Sequence, residues 1–280
     1  MADLDLRPLS LGEILDRTFF VYRRNFLLFV GITALPQLLV LGFKLAQIFM
    51  TGGTKGPRLS QPDFTALGLI GILIGVIFYL VAYLYTHGGT VYAVSDLYLG
   101  RPTSIGAALR RMHGEAANLF GVLLLNGLAM LGGFIFLIVP GVYIACRLAT
   151  CVPAALLENL GPGDSLRRSY SLTKDFAGRS FVIFLLYVAI LYGALLLFAF
   201  PFIFAIAFSG KDPAMLVIWA ALSQVGSTIA TVLVTPIFTI ATTVFYYDLR
   251  VRKEAFDLQM MMNPGGSVSP AGAAVPSVLS

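Results

Sequence analysis

Between Leu119 and Leu157 the chain runs for 39 residues with Arg147 as its only charged side chain. A membrane-spanning helix needs about 20 mostly apolar residues, so this run is too long for one crossing and suits two. Pro140-Gly141 in its middle supplies turn chemistry, which predicts a hairpin with arms 119–139 and 141–157. Four further apolar runs, 26–50, 66–94, 181–209 and 215–247, are each long enough for one crossing. Six spans are therefore expected, and they leave both termini on one side.

Composition supports a membrane bundle over a soluble fold. The chain is 58% hydrophobic and 12% charged, whereas soluble domains average roughly 25% charged residues. A net charge of +5 could suggest nucleic acid, but the basic residues sit in short clusters between apolar runs. Fourteen of the 19 Lys and Arg fall before the first span, between the even and odd spans, or after the sixth, against three in the opposite loops. By the positive-inside rule both termini are cytoplasmic, in a prokaryotic cell membrane. One integral membrane domain is expected over 1–262, with a charge-free, Gly/Pro/Ser-rich tail, 263–280, expected to be disordered. The N-terminus lacks a basic-then-apolar signal peptide.

Before each outward-going span lies a segment with an apolar stripe at helical spacing and a basic opposite face, over about 10–25, 104–117 and 163–177. Ser10 with Glu13 makes a capping box for the first. The stripes are Leu11, Ile14, Leu15, Thr18 and Tyr22; Ile105, Ala108, Leu109, Met112 and Ala116; and Leu166, Ser169, Tyr170 and Thr173. Each is expected to lie in the cytoplasmic interface. The inward-going spans end alike, with Asp96, Glu158 and Asp248 each at the exit. These carboxylates are expected to pair with nearby arginines (Arg110, Arg111, Arg167, Arg168, Arg250 and Arg252) and to pin the amphipathic helices. The simplest account is three copies of one unit, amphipathic helix plus helical hairpin. The fold class is thus all-α: a six-span bundle with three cytoplasmic amphipathic helices.

Four segments carry a resemblance: LRPLSLGEILDRTFFVYRRNF at 6–26, VPGVYIACRLATCVPAALLEN at 139–159, DSLRRSYSLTK at 164–174 and YYDLRVRKEAFDL at 246–258. Together they resemble bacterial and archaeal membrane proteins of the glycerophosphoryl diester phosphodiesterase membrane domain family. The resemblance covers nearly all of 6–258 and implies the membrane part of that family only. The catalytic barrel for which the family is named needs a couple of hundred further residues, so its activity is not carried over.

Arg147, Asn126, His87 and Gln224 are the polar groups at membrane depth. Arg147 reads either as a snorkelling arginine bonded to carbonyls freed at the Pro140 turn, or as an anion or lipid-phosphate site. Interhelical hydrogen bonding is the default for Asn126, His87 and Gln224. Cys146 and Cys151 are about 140° apart on a helix and can neither bridge nor chelate together. Zinc-hydrolase, nucleophile-elbow and phosphate-loop motifs are lacking. No enzyme activity, metal or cofactor is therefore expected. The leading reading is a non-catalytic scaffold or lipid-organising protein whose partners are membrane lipids, anionic at the cytoplasmic face. The alternative is a transporter of lipid or small anions, since Pro36, Pro153, Pro201 and Pro236 interrupt four spans.

Overall fold

A computed structural model describes residues 8–55, 66–209 and 212–254. The tail 263–280 lies outside the described residues, as does most of the first polar loop. Ten α-helices make up the described chain: α1 Leu11–Arg24, α2 Phe26–Lys55, α3 Ala66–Tyr98, α4 Ile105–Phe136, α5 Ile138–Arg147, α6 Cys151–Leu157, α7 Pro162–Leu172, α8 Ala177–Phe198, α9 Phe200–Phe208 and α10 Pro213–Glu254. They give six stretches long and apolar enough to cross a membrane: Phe26–Met50, Gly68–Tyr98, Ile105–Phe136, Ile138–Leu157, Ala177–Phe198 and Pro213–Glu254. The protein is an all-α, six-span bundle.

The last helix, α10, is its axis. Its most apolar window is 67% buried, against 6–50% for the other five spans, and α1, α2, α3, α8 and α9 all pack on it. Polar residues are tolerated along it because their hydroxyls serve their own helix. Ser227, Thr228, Thr231 and Thr243 each donate to the carbonyl four residues back, at 2.7–2.9 Å, which satisfies them at depth. Where α8 gives way to α9, Gly226 lets the bend touch α10. A Cβ there would lie 1.9 Å from the Phe198 carbonyl oxygen.

Two expected boundaries move. Of the second stripe Ala108 and Met112 are buried and Leu109 partly so, but it forms the opening turns of the 32-residue α4 and not a separate interfacial helix. Nothing between Met112 and Leu123 stops helix propagation, since an isolated glycine such as Gly114 costs only about 1 kcal/mol. The hairpin turns at Leu137, which is extended with φ −170° and ψ 162°, three residues before Pro140. Pro140 has no N–H to offer the Phe136 carbonyl four residues back, and its ring crowds that carbonyl, so α4 ends there. Within the first turn of α5 a missing N–H is harmless. Gly141 serves close packing instead of turning, because a Cβ on Gly133 would come within 2.9 Å of the Gly141 Cα.

The other two amphipathic segments are separate helices. α1 starts on the Ser10–Glu13 capping box and buries Ile14, Thr18 and Tyr22. α7 buries Ser165, Ser169 and Leu172 and ends at the buried Thr173, whereas Tyr170 of the expected stripe is exposed. The fifth span breaks at Ala199, just before Pro201, whereas α2 and α10 run on through Pro36 and Pro236.

Candidate functional site

Three consecutive residues at the end of α10 reach three different parts of the chain. Successive helix positions point about 100° apart, so neighbours serve different partners. Tyr246 donates its hydroxyl to Glu158 Oε1 at 2.6 Å. Tyr247 donates to Ser95 Oγ at 2.9 Å, beside Asp96. Asp248, whose side chain is 0% exposed, accepts the backbone N–H of Leu9 at 2.7 Å. All three exit carboxylates thus gather at one end of the bundle.

Each carboxylate has an arginine. Asp248 takes Arg252 Nε at 2.9 Å and Arg179 Nη1 at 3.5 Å. The same two arginines donate to the Leu9 carbonyl at 2.5 and 3.1 Å, so both backbone groups of Leu9 are held. Glu158 accepts Arg168 through Nε and Nη2 at 2.8–3.0 Å, a two-point grip that only a guanidinium can make. Arg168 also meets Glu254 at 2.5 Å, and Arg250 meets Glu254 at 3.1 Å and Glu158 at 3.8 Å. Two cations and two anions close a neutral cluster. Burial opposes the Arg168 charge, but hydrogen bonds to Glu254 and Glu158 outweigh it and hold the guanidinium above its ordinary range. Asp96 with Arg111, at 3.4 Å, is half exposed on the arginine side, and such pairs contribute little. Arg111 also lies over the Tyr92 ring at 4.2 Å.

On the first amphipathic helix, Tyr22 donates to the Leu233 carbonyl at 2.8 Å. Burial pushes its hydroxyl up to about 12, which keeps it a donor.

Of the expected partners, Arg110 and Arg167 are exposed and meet no carboxylate among the described residues. Tyr246 and Tyr247 escaped sequence reading. The adjacent pair Tyr246-Tyr247 before Asp248, at the polar end of a span, was the available signal.

The four polar residues at membrane depth do not converge. Arg147 is 3% exposed, and its guanidinium does not use the carbonyls near Pro140. It donates to the Tyr170 and Lys174 carbonyls at 2.7 and 3.0 Å and to Tyr143 Oη at 3.1 Å, over the Tyr170 ring at 3.7 Å. Its own carbonyl accepts from Ser169 and Thr173 at 3.0 and 2.7 Å. Pro153 explains this break: it cannot donate to Ala149, so the fourth span opens at 148–150 and the end of α7 docks into the gap. Asn126 donates to Cys151 Sγ at 3.2 Å. Gln224 lies on α10, where its backbone carbonyl accepts from Thr228.

Of the four, His87 borders a cavity of about 210 Å³. Gln37 and Lys44 come from α2; Tyr79, Tyr83, Thr86 and His87 from α3; Tyr187 and Leu191 from α8; Ser227, Thr228, Thr231 and Thr235 from α10. Gln37 and Thr235 directly adjoin Pro36 and Pro236. His87 Nδ1 meets Thr239 Oγ1 at 2.9 Å, and its ring lies 4.1 Å from that of Tyr83.

No family model, curated protein or solved structure matches the chain.

Proposed function

We propose that this is a non-catalytic, lipid-organising membrane protein with both termini in the cytoplasm of a prokaryotic cell. The observation that carries this reading is the division of its arginines. Arg168 and Arg250 are spent in the neutral cluster with Glu158 and Glu254, and Arg179 and Arg252 hold Leu9 and Asp248. Arg23, Arg24, Arg110 and Arg167, by contrast, are exposed on α1, α4 and α7 without a carboxylate partner among the described residues. The bundle thus carries unneutralised cations at the start of one spanning helix and on two helices next to its spans, as a binder of anionic head groups would. The likeness to the glycerophosphoryl diester phosphodiesterase membrane domain is compatible with this role.

The test is reconstitution in vesicles of mixed anionic and zwitterionic lipid, with the lipid retained by the purified protein weighed by mass spectrometry. Replacing Arg23, Arg24, Arg110 and Arg167 by Ala should lower the anionic share, each charge near the surface contributing about 1 kcal/mol. An unchanged share would overturn the reading. Translocation of lipid or a small anion is the second reading, favoured by the polar cavity beside Pro36 and Pro236. Lipid or anion flux in the same vesicles would support it.

A further inference from the structure

We infer that the cavity between α2, α3, α8 and α10 is a binding site for a hydroxylated anion, either a lipid head group or a free polyol phosphate. Among the described residues, Lys44 is the only charged one on its wall, and no carboxylate lines it. Lys44 also makes no ion pair among the described residues. An anion entering the cavity would therefore be compensated there, whereas an added ammonium would not.

Beside the donors of Gln37, Tyr79, Tyr83 and Tyr187, the α10 side of the wall constrains the rest of the ligand. Ser227, Thr228 and Thr231 spend their protons on carbonyls of α10. What they can offer the cavity is oxygen lone pairs, which call for a ligand that brings its own donors. Hydroxyl groups meet that need without adding positive charge.

Thr86 supplies an independent sign. It is 1% exposed, it lines the cavity, and its Oγ1 has no hydrogen-bond partner. Its neighbour one turn on, Thr90, donates to the Thr86 carbonyl at 2.7 Å in the ordinary way. A buried orphan hydroxyl costs about 1–3 kcal/mol, so one beside a polar cavity points to a partner there. His87 faces the same space with Nδ1 already engaged by Thr239, which leaves Nε2 available.

Access favours the lipid source. Lys44 is 18 residues beyond Phe26 on α2, about 27 Å along a helix crossing a hydrocarbon layer of about 30 Å. Both Lys44 and Tyr79 are exposed on the outside of the bundle, so a head group could enter sideways while its chains stay in the bilayer.

The experiment uses the full chain in nanodiscs, with phosphatidylglycerol, phosphatidylcholine, glycerol phosphate and inorganic phosphate as probes. Binding is followed by native mass spectrometry and calorimetry. Phosphatidylglycerol should bind in preference to phosphatidylcholine. Lys44→Met should weaken it about tenfold or more, and Thr86→Val severalfold, each with an unchanged melting temperature. Lys44→Arg should retain binding. If glycerol phosphate binds with the same sensitivity to Lys44→Met, the source is the free anion; if only the lipid binds, it is the head group. Inorganic phosphate binding as tightly as either would overturn the requirement for hydroxyls. Equal binding of phosphatidylcholine, or phosphatidylglycerol binding indifferent to Lys44→Met, would overturn the site. Repeating the lipid series with Arg23, Arg24, Arg110 and Arg167 replaced by Ala separates this site from the surface cations.

Discussion

Asp248 accepts the backbone N–H of Leu9 at 2.7 Å, so the end of the last helix fastens the approach to the first across nearly the whole chain. Among the described residues, Asp248 alone binds both the Leu9 amide and the two arginines holding the Leu9 carbonyl. Asp248→Ala should therefore leave the Arg179 and Arg252 cations side by side at the Leu9 carbonyl without their counter-charge. A loss of about 3 kcal/mol is expected, with α1 becoming sensitive to protease at Arg17 and Arg23. Measurement of unfolding in detergent, with mapping of the cleavage sites, checks this. Undiminished stability would show that the Leu9 contacts are incidental.

The Glu158–Arg168 pair makes a sharper claim about coupling. Removing either partner alone leaves a buried charge, so Glu158→Gln and Arg168→Gln should each cost about 3 kcal/mol. The double variant should cost about 4 kcal/mol, well short of the sum of the singles, giving a coupling energy of about 2 kcal/mol. Strict additivity in the cycle would mean that the two side chains do not interact in the membrane.

Gly226 is a test of close approach. Ala there would place Cβ 1.9 Å from the Phe198 carbonyl oxygen, and backbone would have to move. Gly226→Ala should cost about 1–3 kcal/mol, while Gly193→Ala, with nothing within 4 Å, should stay within about 1 kcal/mol of the parent. Thermal melting of the two variants side by side decides between packing and a general effect of glycine.

The bundle and its spans were legible because apolar length and buried periodicity are local properties. Ile14, Thr18 and Tyr22 are buried where their spacing put them, and Glu158 meets Arg168 from ten residues away. Three things were not legible, each for a physical reason. The end of α4 is set by a proline four residues beyond it, so Pro140 marks the break without occupying it. Arg147 found its carbonyls on the last turn of α7 and just past its end, 23 and 27 residues on, a distance that no periodicity encodes. The cavity is assembled from four helices, and Lys44 and Thr86 acquire their meaning only when α2 and α3 are placed beside α10.

The topology inferred from charge is open to a direct test. With fourteen basic residues on one side and three on the other, a reporter that works only in the cytoplasm should be active when fused after Ser280. The same reporter inserted at Gly56 should be silent. The reverse pattern would invert the bundle in the membrane and place Arg23, Arg24, Arg110 and Arg167 on the outer face.

Arg147 joins two breaks: the opening of the fourth span at 148–150 and the end of α7. A helix C-terminus leaves carbonyls without partners and carries a partial negative charge. The Arg147 guanidinium meets both needs, since it donates to the Tyr170 and Lys174 carbonyls from two different nitrogens. If it merely snorkelled, Arg147→Leu would be neutral or stabilising in lipid. Because it braces α7, Arg147→Leu should instead cost about 3 kcal/mol, from two charged hydrogen bonds and their stranded carbonyls. Arg147→Lys keeps the charge but loses the planar fork, so it should fall between parent and Leu, at about 1–2 kcal/mol. The cavity is not lined by Arg147, so phosphatidylglycerol binding by the folded fraction should be unchanged in both variants. Unfolding measured in detergent together with lipid mass spectrometry separates the outcomes. A Leu variant as stable as the parent, with anionic lipid lost, would move Arg147 from brace to binding residue.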